Sequence, residues 1–163
     1  MTLDISAYAA QLARRIESTG ADVLGPRITY VTGQLVADVS ITAELPGSGF
    51  PRNSEMRLSE RWSRPYLDQP WRLAEYAYEL LDYERHARLA LHLHDKAWFV
   101  DTYNIVVHEH CEAPIGDVHC RHYAGPPVSD SFDAVDRMLE TWMDDRAPDC
   151  TAKTCLDEMK PGR

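Results

Sequence analysis

Apolar residues never run more than a few positions together in this chain. A bilayer-spanning helix needs roughly 20 of them, so no membrane span is expected. Neither G-x-G-x-x-G nor G-x-x-x-x-G-K-[ST] occurs, which removes the common phosphate-cradling loops. No G-x-S-x-G stretch is present to seat a hydrolase nucleophile. Cys-x-x-Cys is also missing, so no standard zinc spacing can be read. Positive charge is scarce: 17 Lys and Arg face 26 Asp and Glu, a net charge of −9. That balance argues against coating nucleic acid through bulk electrostatics and still allows a local basic groove. The stretch "MTLDISAYAAQLARRIESTG" carries Arg14 and Arg15 after its apolar residues, the reverse of a secretory signal. A cytoplasmic protein is therefore expected, with thiols kept reduced. Oligomeric state is not set by these features.

The 163 residues, 44% hydrophobic and 26% charged, suit a single globular domain with its own core. Ile5, Tyr8, Leu12 and Ile16 recur at spacings of three and four and predict an amphipathic helix ended at Gly20. Residues 27–45, rich in β-branched side chains and broken at Gly33, predict two strands. Period-two alternation returns in "AEYAYELLDY" and "ARLALHLHD", with a hairpin turn near residues 95–97 and a further strand through "AWFVDTYNIVVHEH". Ser129 or Asp130 caps a closing helix that carries Phe132, Val135, Met138 or Leu139, and Trp142 on one face. The expected fold is α+β: an antiparallel meander with the N-terminal and C-terminal helices packed on one face. It occupies residues 1–148, and residues 149–163 form a polar, loosely held tail.

Residues 106–123, "VVHEHCEAPIGDVHCRHY", hold four of the seven histidines and two of the four cysteines. A metal site and an acid/base site both draw on such residues. Cys111, His119, Cys120, Cys150 and Cys155 are the candidate zinc ligands, the four cysteines pinning the tail to the sheet. Without metal, His108, His110 and His122 can move protons near neutral pH, as transesterification of RNA through its own 2′-hydroxyl requires, with Arg88 stabilising the phosphorane charge. His92 and His94 form another strand pair. A hairpin near residues 95–97 would hold it roughly 25 Å from His108, so no cage of both pairs is expected. The segment "RNSEMRLSERWSRPYLDQPWR" sets five arginines against three acids. Arg57, Arg61, Trp62 and Arg64, joined by Arg121, are the candidate substrate contacts, suited to phosphate and base stacking. The plainer alternative puts the tryptophans in the core.

The order of features over residues 83–140 resembles the TumE-like family of small toxins from bacterial toxin–antitoxin operons. The matching residues are His92 or His94 in "LALHLHD", Asn104 to His110 in "NIVVHEH", His119 and His122 in "HCRHY", and the helix "DSFDAVDRMLETW". The resemblance implies a cytoplasmic protein acting on RNA or another nucleotide substrate and neutralised by a protein partner. Two readings stand at this point. One is a metal-independent ribonuclease using histidine acid/base chemistry. The other is a non-catalytic, zinc-stabilised binding module held by a His/Cys site, so the expected cofactor is none or zinc.

Overall fold

The computed structural model describes residues 3–46, 54–93, 97–117, 122–125, 128, 130–144 and 146–159. Helix α1 (Ile5–Glu17) starts because the Asp4 carboxylate accepts the backbone N–H groups of Ser6 and Ala7. It stops at Gly20, whose φ of +85° is a left-handed conformation costly to other residues. Ile5, Ala9, Leu12, Ala13 and Ile16 form its buried stripe.

Six strands follow: β1 (Asp22–Tyr30), β2 (Val36–Leu45), β3 (Ser54–Ser63), β4 (Arg72–Asp82), β5 (Ala87–Leu93) and β6 (Val107–Glu112). They pair antiparallel in sequence order as one sheet. The expected meander is present. Strand β1 lies at an edge and is bulged at Gly25 and Pro26, a position that tolerates proline because the outer side of an edge strand needs no ladder donor. Helix α2 (Ala97–Tyr103) separates β5 from β6, where the sequence predicts a hairpin. Helix α3 (Ser131–Met143) begins at Asp130, which accepts the Asp133 N–H.

The sheet has two unlike faces. Helices α1 and α3 cover one, packing Leu12, Ile16, Val135, Met138 and Trp142 against Ile41, Met56, Leu58, Tyr78, Leu80, Leu89 and Leu91. Strict alternation puts Ser40, Arg57, Ser59, Arg61, Glu75, Ala77, Glu79 and the strand histidines on the other. The C-terminal end of α3 is held by Arg85, which donates to the carbonyls of Thr141, Trp142, Asp144 and Arg146 while its Nε bonds Asp82. Cationic donors there satisfy orphan carbonyls and complement the helix dipole.

Candidate functional site

Strand register decides which histidines meet. On β5 and β6, His92 lies directly opposite His108 and Ala90 opposite His110. Directly opposed residues share a face, so His92, His108 and His110 project together on the face away from α1 and α3. The expectation that the first pair stays apart from the second is overturned for His92. Its reason was a hairpin at residues 95–97; α2 takes up the intervening chain and returns β6 beside the histidine end of β5. Asn104, at φ +54°, ends α2 by donating its N–H to the Val100 carbonyl. Asparagine is one of the few side chains that tolerates that conformation.

The fourth imidazole comes from residues 122–125. Tyr123 bridges Glu109 through paired backbone bonds of 2.8 and 3.1 Å, which places the flanking His122 on the face of His108 and His110. Its ring centre lies 4.8 Å from that of His110 and 5.4 Å from that of His108. One ligand atom each from His92, His108 and His110 fall within 4.8 Å of one another, a group that could hold a metal ion. His108 Nε2 and His110 Nε2 are 3.2 Å apart. Two nitrogens bound to one tetrahedral zinc at 2.0–2.1 Å would sit roughly 3.3–3.4 Å apart, slightly wider than this pair.

The cluster is dry. His108 is 2% exposed, and Phe99 of α2 stacks on it with ring centres 4.0 Å apart. Burial, reinforced by His92, Arg88, His108 and His122, pushes His110 down to about 2. It is therefore a neutral imidazole at physiological pH, the form that binds metal. Arg88 shares the face but is held between Glu79 and Glu112, the latter at 2.8 Å. Burial works to lower its pKa, and the two carboxylates more than offset this. Its charge is thus already matched by two carboxylates.

The expected substrate contacts separate. Arg57 and Arg61 are half-exposed on the histidine face, ion-paired with Glu55 and with Asp38 and Glu75. Arg57 shares a cross-strand row with His110, separated from it by Glu79 and Ala90. Three strand spacings make roughly 14 Å. Trp62 is not a substrate contact: it is 8% exposed in the core beside α1, its indole N–H given to Glu60 at 2.7 Å. Arg64 stacks over Trp71 at 4.5 Å. Arg121, His94, His119 and Cys120 lie outside the described residues.

The cysteines are also corrected. Cys111 and Cys150 form a disulfide with Cα atoms 5.4 Å apart, and Cys155 is disulfide-bonded as well. These sulfurs offer no thiolate, so Cys111, Cys150 and Cys155 do not serve as zinc ligands in this form. Alternation explains the separation from the histidines, since Cys111 points from β6 to the opposite face. The tail expected to be loosely held folds back: Ala124 donates to the Thr154 carbonyl, Leu156 to the His122 carbonyl, and Lys153 pairs with Glu109. Sequence reasoning missed Trp98, Phe99 and Tyr103. The four-residue spacing of Phe99 and Tyr103, followed by Asn104 as a stop, was the available signal.

In comparisons with known proteins, no family model, curated protein or solved structure matches the chain. No described helix is long and apolar enough to cross a membrane.

Proposed function

We propose that the four-histidine cluster is a zinc centre acting on RNA phosphodiesters, with His92, His108 and His110 as ligands and His122 beside the open position. The observation that carries this reading is the convergence of three imidazoles from β5 and β6 within 4.8 Å. Imidazoles match zinc's preference for nitrogen donors, His110 being neutral at physiological pH, and three protein ligands with a free position are the pattern of catalytic zinc sites. A bound ion would polarise a phosphoryl oxygen and supply positive charge that this acidic chain otherwise lacks. RNA as substrate rests on the resemblance to TumE-like toxins, which also suggests a neutralising protein partner.

Metal-free proton transfer by His108, His110 and His122 is the second reading. The 3.2 Å contact between His108 and His110 favours it, because a proton can pass along such a bond. The depressed proton affinity of His110 weighs against it, since so weak a base seldom holds a proton near neutrality. As to compartment, the disulfides fit an oxidising environment better than the cytoplasm expected from sequence.

A cleavage assay on single-stranded RNA, run with added zinc, with chelator, and with His108→Ala, tests the assignment. Zinc-dependent cleavage lost in the variant is expected. Cleavage that survives chelation would move the assignment to metal-free acid/base chemistry, and no cleavage by the wild type under any condition would overturn action on RNA.

A further inference from the structure

Beside the histidines stands a side chain whose exposure packing does not explain. Trp98 of α2 is 62% exposed, while its neighbour Phe99 is 2% exposed and seals His108. Its indole is fixed against other rings: Tyr103 meets it edge-on at 5.9 Å and 89°, and Phe99 at 6.1 Å and 61°. Tyr103 is itself anchored by a 3.0 Å hydrogen bond to Asp157. The indole ring centre is 6.2 Å from that of His122. None of these described contacts is a flat stack, and 62% of the residue remains open to solvent.

We infer that Trp98 is a base-stacking residue that seats one nucleobase of a single-stranded RNA so that the adjoining phosphodiester reaches the histidines. This rests on the reading of the cluster as an RNA-acting centre. Three observations favour a single flat group over a protein partner. Among the described residues of α2 the other side chains are small, polar or at least partly buried, so this helix presents one exposed large ring and not an apolar stripe. Protein docking draws on far larger apolar areas. The ring is pre-positioned by its aromatic neighbours, so little ordering entropy is lost on stacking. Finally, the indole adjoins both His122 and the Phe99 ring stacked on His108. A base and its own phosphate, separated by one ribose, span a comparable distance. Aromatic stacking is indifferent to base identity, so the seat should be sequence-tolerant and specific for unpaired strands.

The test is the affinity of the full chain for a fluorescent oligoadenylate, measured by anisotropy for wild type, Trp98→Phe and Trp98→Ala. Melting temperatures run alongside to confirm folding. Loss of one stacked base weakens binding roughly tenfold or more in Trp98→Ala. Trp98→Phe should retain most of the affinity, and duplex RNA should bind more weakly than the single strand. Equal affinity of Trp98→Ala and wild type would overturn the inference while leaving RNA binding intact. So would equal binding of inorganic polyphosphate, which has no bases. A wild type that binds no RNA would overturn both this inference and the assignment of RNA as substrate.

Discussion

His108 illustrates how one residue joins fold and chemistry: it lies opposite His92, beneath Phe99, and within hydrogen-bond distance of His110. Removing the lid exposes this. Phe99→Ala should destabilise the chain by roughly 3–5 kcal/mol through loss of a buried ring. A chemical-denaturation curve checks it, and a shift under 1 kcal/mol would mean α2 does not seal the cluster. At His110 the folded-state pKa is depressed, so between about 2 and the ordinary histidine value near 6.5 the unfolded chain binds a proton that the native one does not. Stability from this group is full above about 6.5 and is lost as pH falls through that window. The metal-free protein should therefore melt at a lower temperature at pH 5 than at pH 7.5, and His110→Gln should reduce that difference. An unchanged difference in the variant would show that His110 is not buried as a neutral base.

At the scale of elements, Arg85 and the disulfide make the strongest claims. Arg85→Ala removes four carbonyl contacts at the end of α3 and strips Asp82, a 2% exposed carboxylate, of its cation. A loss of roughly 3 kcal/mol or more is expected in urea unfolding. Retained stability would mean that solvent caps the helix equally well. The Cys111–Cys150 bond closes a loop across 39 positions and staples the segment that clamps residues 122–125 against β6. Cys111→Ser should cost roughly 2–4 kcal/mol. Thiol titration of the unfolded, unreduced wild type should find no free thiol, and free thiols there would place the tail outside this account. Much of this scale was legible beforehand. The 3.6-residue period of α1 and α3, the cap at Asp130, the β-branched content of residues 27–45 and the alternation in β4 and β5 are local signals that tertiary packing reinforced. Helix α2 was not, because Trp98, Phe99, Val100 and Tyr103 favour strands, and the docking of Phe99 on His108 overrides that preference. Misreading α2 shifted the register of β6, and with it which histidines meet. Cysteine pairing was hidden for the same reason: it depends on how the tail returns, which no spacing encodes.

For the whole molecule, the division of the sheet into two faces organises everything else. One face takes both long helices and the core; the other keeps a ladder of ion pairs from Asp38 through Arg61 to Glu75, and from Glu79 through Arg88 to Glu112. The histidines occupy the end of that second face, where β5, β6 and residues 122–125 converge. Of the two readings of the arginine-rich segment, the plainer one holds for Trp62, which lies in the core, so the ring does not serve as a substrate contact. Period-two alternation sent Trp62 inward and Arg57 and Arg61 outward to carboxylate partners, and composition alone carries no such direction. The central claim is that the imidazoles hold a metal. Elemental analysis of protein purified without a histidine tag or added metal, followed by a melt in chelator, addresses it most directly. The account predicts about one zinc per chain and a lower melting temperature once it is removed. Protein that carries no metal and melts identically with and without chelator would contradict it.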